Sequence, residues 1–115
     1  MKKRNKERKE NRHKRILIFN VGSATIKYAF FTNNKLQEKK IIYAKITTRI
    51  IEKIVKKFNP DFIVHRIVHG GPVNKTCFVN SFILKKIEKY SRFAPLHNPY
   101  EIMTIKICQH FPKAK

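Results

Sequence analysis

The run Ile63-Val64-His65-Arg66-Ile67-Val68-His69-Gly70-Gly71 constrains this chain more than any other stretch. Its apolar residues are mostly β-branched and it stops at a glycine pair, so Phe62 to Val68 reads as a strand. Strand side chains alternate faces. Arg66 and Val68 therefore point one way, and His65, Ile67 and His69 the other. A guanidinium beside a small apolar surface is what a pocket for a short carboxylate needs. The arginine can take both oxygens in a bidentate fork, and the valine can cover the alkyl end. The glycines let backbone pass close to whatever is bound. The plainer alternative is a surface arginine on an edge strand.

The rest of the chain supplies the frame. Ile16 to Asn20 reads as a buried strand with Gly22-Ser23 as its turn, and Ile26 to Phe31 as its partner. Asn33-Asn34 is a second turn signal, and Leu36 to Ile46 a third, more polar strand of an antiparallel meander. Thr48 to Phe58 sets Ile50, Ile51, Ile54, Val55 and Phe58 on one helical face. Asn59-Pro60 stops that helix. A strand, helix, strand succession implies parallel pairing. Asn80 or Ser81 can cap a helix carrying Ile83, Leu84, Ile87 and Tyr90. Asn98-Pro99-Tyr100-Glu101 has the form of a helix start, with a cap, a proline in the first turn and an acid three residues after the cap. That helix runs to about His110. The expected order is βββαβαα, an α/β fold with a mixed sheet and flanking helices.

Charge raises a separate question. The chain carries +20 over 115 residues. Met1 to Arg15 holds nine basic groups and two acids, a net +7, so +13 falls on the remaining residues. The first fifteen residues lack apolar groups to bury and read as a disordered basic tail, with residues 16–115 as the folded part. Such a tail can hold nucleic acid electrostatically. It can equally be a solvated tail in a chain whose composition has drifted toward Lys, Ile, Asn and Phe. No aromatic residue interleaves the basic ones there, so base stacking has no platform. The isolated Cys77 and Cys108 indicate neither a disulfide framework nor a zinc site, and fit a reducing cytoplasm. The apolar run after the basic start is too short for a signal peptide, and no stretch is long enough to span a bilayer.

Chemistry-bearing residues fall in three segments. The first is Ile16-Leu17-Ile18-Phe19-Asn20-Val21-Gly22-Ser23-Ala24-Thr25-Ile26-Lys27. A hairpin tip offers backbone N–H groups, the Ser23 and Thr25 hydroxyls and the Lys27 charge to a phosphate, with the Asn20 amide beside them. An ordinary polar turn would look the same. The second is the Arg66 segment, and the third Ala94-Pro95-Leu96-His97-Asn98-Pro99. His65 and His69 share a strand face yet stand roughly 13 Å apart, too far for two ligands of one zinc ion. In this order the three segments resemble the acetate kinase family, from Ile16 to about Pro112.

The resemblance implies an actin, Hsp70 and sugar-kinase type of domain (ribonuclease H-like) and transfer of the ATP γ-phosphate to acetate or another short carboxylate, with Mg2+. It makes Arg66 the substrate carboxylate ligand, and Val68 and Leu96 linings of a small apolar pocket, with core packing as their alternative. It places Asn20 with magnesium and phosphate, Ser23, Thr25 and Lys27 by the phosphates, and His97 near the transferring phosphate. A capping or packing role is the alternative for His97. The family more often has serine at the positions of Ala24 and Thr25; Thr25 keeps the hydroxyl and Ala24 does not.

Family members are several times longer. In them an apolar strand ending in Asp-Thr-Ala-Phe-His follows the position of Phe111-Pro112, carrying a catalytic aspartate and histidine, and a second domain completes the cleft. The expectation is therefore an incomplete amino-terminal domain, poorly active or inactive alone, with apolar edges left exposed. Expected partners are a short carboxylate, a homodimer mate or a separately encoded remainder, and no membrane. A basic protein holding nucleic acid by its tail is the alternative from another class.

Overall fold

The computed structural model describes residues 14–71 and 75–115. The elements are β1 (Arg15–Val21), β2 (Ile26–Thr32), β3 (Lys35–Ile42), α1 (Thr48–Phe58), β4 (Phe62–His65), α2 (Ser81–Lys89), a 3-10 turn (Ser91–Phe93) and α3 (Asn98–Cys108). The order is the expected βββαβαα. Of the expected basic tail, residues 1–13 lie outside the described residues. Arg15 is part of β1: its guanidinium donates to the Phe58 carbonyl and its N–H to the Asp61 carboxylate.

The sheet runs β3-β2-β1-β4. β1, β2 and β3 form the antiparallel meander, and β4 pairs with β1 in parallel, placing His65 beside Phe19. Asn33 and Asn34 both take positive φ, 49° and 68°, which a tight hairpin turn between β2 and β3 requires. β3 ends four residues before the expected Ile46. Its last partner, Ile26, is the first residue of β2, so residues beyond Ile42 have no strand to pair with. Ile46 instead turns into the core.

One face of the sheet presents Leu17, Phe19, Val21, Ile26, Tyr28 and Phe30 to α1 and to the end of α3. α1 covers the expected span and buries Ile51, Ile54, Val55 and Phe58. Thr47 caps it by accepting the Ile50 N–H, and Asn59 ends it in the left-handed region. α3 is buried on more than one side. Ile107 and Cys108 join the sheet core, while Ile102 and Ile105 form a second cluster with Leu84 and Ile87 of α2. Asn80 caps α2, accepting the Ile83 N–H at 2.8 Å.

The opposite face carries Ile16, Ile18, Ala29, Phe31, Phe62 and Val64 in register, and none of them is buried. On the outer edge of β4, Lys115 donates to the Asp61 carbonyl and accepts the Ile63 N–H, the hydrogen-bond pattern of a parallel strand pair. No helix of the described residues is long and apolar enough to cross a membrane.

Candidate functional site

The three sequence segments converge where β1 and β4 end beside the start of α3. The β1–β2 connection closes with the Gly22 N–H on the Thr25 carbonyl, at 2.9 Å. The Ser23 N–H then reaches the Leu96 carbonyl at 3.0 Å, joining the first segment to the third. Gly22 faces the Leu96 carbonyl and the His97 ring, each less than 4 Å from where a side chain would begin. Ser23 and Thr25 are half-buried at the tip, and Lys27 is exposed. Asn20 lies opposite Lys27 across the β1–β2 ladder, so an amide and an ammonium share that end of the sheet.

The second segment departs from the expected geometry. β4 stops at His65 instead of continuing to Val68, so the face argument made for a strand does not hold beyond that point. The Arg66 N–H still reaches β1, on the Phe19 carbonyl at 3.0 Å. The next amides are taken by α3. Val68 N–H goes to the Glu101 carboxylate, at 3.0 and 3.3 Å to its two oxygens. His69 N–H goes to Asn98 Oδ1 at 3.1 Å, and the Asn98 amide donates back to the His69 carbonyl. Side chains of α3 thus replace a neighbouring strand. Exposure nevertheless alternates as expected: Arg66 and Val68 face outward, Ile67 and His69 inward. Ile67 packs on the α2–α3 cluster.

The same contacts correct the reading of the helix start. α3 begins at Asn98 with His97 in the cap position and no side-chain cap bond. Asn98 and Glu101 would form the two halves of a capping box; both turn to the Arg66 segment instead. Both are fully buried, at 0% and 1% exposure. The helix ends at Cys108, two residues before the expected His110.

Val68 and Leu96, 48% and 61% exposed, belong to neither core cluster, which removes core packing as their explanation. His97 is also exposed. The glycine pair has a clear partner at its second member: Gly71 sits at φ 59°, and a side chain there would run into the Tyr90 ring. Tyr90, Phe93 and His69 form an aromatic stack with centroids 5.2–6.0 Å apart. His65 goes elsewhere, stacking on Phe19 at 5.9 Å with its Nδ1 buried and without a hydrogen-bond partner among the described residues. Burial pushes its pKa down from 6.5 to about 4, so it is a neutral ring at ordinary pH.

A groove of about 1160 Å³ runs along the outer edge of β4, lined by Ile63, Ile83, Ile87 and Ile105, with Arg66 and Val68 on its rim. The hairpin tip lies outside it. This is an open apolar surface more than an enclosed site. No ion pair within 4 Å ties up Arg66 among the described residues.

The family model described as the Acetokinase family matches residues 37–115. The chain belongs to the acetokinase family. An acetate kinase of Campylobacter jejuni is 30% identical over 128 residues, taking in 80% of this chain and 32% of the relative. An acetate kinase of Buchnera aphidicola is 44% identical over 71 residues, 56% of this chain and 18% of the relative. Among solved structures, a propionate kinase of Francisella tularensis superimposes with TM-score 0.69 at 25% identity, covering 87% of this chain and 35% of its own. Porphyromonas gingivalis acetate kinase shares the fold at TM-score 0.68 and 20% identity, covering 85% of this chain and 34% of its own. The chain thus spans about a third or less of the length of these relatives.

Sequence reasoning missed Glu101 as part of the site, because its spacing from Asn98 has a complete explanation in helix capping. It also missed the Tyr90–Phe93 stack, whose members lie on separate turns ahead of α3.

Proposed function

We propose that this chain supplies the carboxylate end of an acetate kinase-type site, at which the γ-phosphate of ATP passes to acetate or another short carboxylate. The observation that carries this reading is the meeting of all three segments at the ends of two parallel strands, with Ser23 bonded to Leu96 and the Arg66 segment held by Asn98 and Glu101. Arg66 takes the carboxylate in its fork, and exposed Val68 and Leu96 offer apolar surface to the alkyl end. The Gly22 and Ser23 N–H groups are spent on closing the hairpin and joining it to Leu96, so the Ser23 and Thr25 hydroxyls and Lys27 receive the phosphate oxygens. His97, across the tip, steadies charge on the group in transit. Phosphoryl transfer asks mainly for such positioning and charge neutralisation.

Magnesium fits this donor set in one way only. The described residues include no cluster of three or more His, Cys, Asp or Glu side chains. A magnesium ion would therefore take most of its oxygens from nucleotide phosphates and water, with the Asn20 amide oxygen as this chain's ligand. When bound, it neutralises phosphate charge.

These groups form one wall of a site. Losing a single preorganised donor costs about 10²–10³ in rate, so the chain alone is expected to turn over poorly or not at all. The unburied apolar face and the groove along β4 suit a complementing polypeptide, in a reducing cytoplasm. The test is to mix the purified chain with the remainder of an acetokinase-family protein, add ATP, acetate and Mg2+, and trap acyl phosphate as hydroxamate. Product should require both polypeptides and should vanish with Arg66→Ala. Robust turnover by the chain alone would sink the one-wall reading. Product that survives Arg66→Ala would sink the assignment of the carboxylate anchor.

A further inference from the structure

Two polar side chains at the start of α3 are buried without serving their own helix. Glu101 and Asn98 are 1% and 0% exposed, and no side chain caps the helix. Burying a carboxylate is costly unless hydrogen bonds compensate. An apolar residue at position 101 would satisfy packing against the Ile102–Ile105 side of the helix without that cost. What Glu101 gains is the Val68 N–H, bonded through both oxygens, while Asn98 closes a two-point bridge on the His69 backbone.

These contacts bracket Arg66. On one side its N–H is fixed to the Phe19 carbonyl. On the other, the backbone two and three residues later is held by α3. Between these anchors the guanidinium makes no ion pair within 4 Å among the described residues, Glu101 included. Burial holds the Glu101 carboxyl above the usual carboxylate range, against the smaller opposing pulls of the Val68 bond and the Arg66 charge. Glu101 therefore does not fill the fork of Arg66. The acid holds the backbone and leaves the guanidinium open to an external carboxylate.

We propose that Glu101 and Asn98 are positioning residues for Arg66, clamping the Val68–His69 backbone so that the guanidinium is preorganised to receive the carboxylate of a short organic acid. This rests on the reading of Arg66 as the carboxylate anchor. A preorganised arginine binds with less loss of side-chain and loop freedom, and removing the clamp should weaken the site about tenfold.

The experiment uses the full chain, labelled with ¹⁵N and titrated with sodium acetate at constant ionic strength, following the amide signals of Arg66 to Gly70. Arg66→Ala should abolish saturable binding. Glu101→Ala should weaken it, whereas Glu101→Gln, whose side-chain carbonyl still accepts the Val68 N–H, should bind close to wild type. Restoration by glutamine separates positioning from a need for the charge itself. A second measurement needs no variant: the Val68 and His69 amides of the unaltered chain should exchange slowly with solvent. Binding lost in Arg66→Ala but unchanged in Glu101→Ala overturns the clamp and leaves the anchor standing. Binding unchanged in Arg66→Ala overturns both. Fast exchange at Val68 in the unaltered chain overturns the clamp even if Glu101→Ala does not fold.

Discussion

Helices α1 and α3 are both eleven residues long, and both follow a loop that offers polar residues at the helix start. In α1 the polar start serves the helix: Thr47 accepts the Ile50 N–H, and the apolar stripe from Ile51 to Phe58 faces the sheet. In α3 the polar start serves something else. His97 makes no side-chain cap bond, and the two residues with the right chemistry for a capping box, Asn98 and Glu101, hold the backbone after Arg66. Helix N-terminal N–H groups need partners, and a cap is the usual local solution. Where a tertiary contact takes the capping side chains instead, the helix gives up local stability. The two helices differ in what their first turns hold: α1 is built for the core, and the first turn of α3 for the segment in front of it.

The largest effect is expected in the core. Ile51 is fully buried in α1, so Ile51→Ala should cost about 2–5 kcal/mol through lost transfer energy and the cavity left behind. Chemical denaturation should show this as a large fall in midpoint. If the cost proves negligible, α1 does not hold the sheet as described, and the contrast with α3 loses its first half.

A second, smaller effect separates the two histidines of the Arg66 segment. Half-buried His65 stacks on Phe19, with a buried Nδ1 that has no partner among the described residues and a pKa lowered to about 4. The unfolded chain binds a proton near pH 6.5, whereas the folded chain resists it until about pH 4. Protonation therefore favours the unfolded chain through that window. The stability contribution is complete above pH 6.5, falls as pH drops from 6.5 to 4, and is level below. The full difference is about 3 kcal/mol. His65→Phe should keep the stack and flatten this limb relative to wild type in pH-dependent unfolding, because the carboxylate contributions are common to both. Parallel acid limbs would show that His65 titrates normally.

How much of this was legible in the sequence follows the same division. Features with a local cause were readable. Thr48 to Phe58 carries its own period and stops at Asn59-Pro60, and Asn33-Asn34 supplies the positive φ values of its turn. The three motif segments could be recognised from residue order, and their meeting at one end of the sheet agrees with that order. What could not be read was set by partners distant in sequence. β4 stops at His65 because Asn98 and Glu101, about thirty positions later, take the amides that a strand would have used. β3 stops at Ile42 because β2 has no residue left to face it. Gly71 is explained by the Tyr90 ring, which no local pattern in the glycine pair reveals.

The smallest expected effect falls at the cap position, held by Thr47 in α1 and by His97 in α3. Thr47→Ala removes a cap that accepts an N–H at 3.2 Å and should cost about 1 kcal/mol. The hydrogen bonds of Thr47 go to Ile50 and Ile51 of α1 and not to the Arg66 segment, so acetate binding should be unchanged. His97→Ala removes an exposed side chain in the same formal position that bonds no N–H of its helix, and the backbone carbonyl that does accept them is kept, so its stability cost should be close to zero. Yet His97 lies against Gly22 at the hairpin tip, and any acyl phosphate formed by a complemented chain should fall with its loss. Thermal unfolding of the two variants beside the complementation assay reads both axes at once. A stability loss at His97 as large as that at Thr47 would make it a structural cap after all. The start of α3 would then be an ordinary helix terminus, and its hydrogen bonds to the Arg66 segment a packing detail without bearing on phosphoryl transfer.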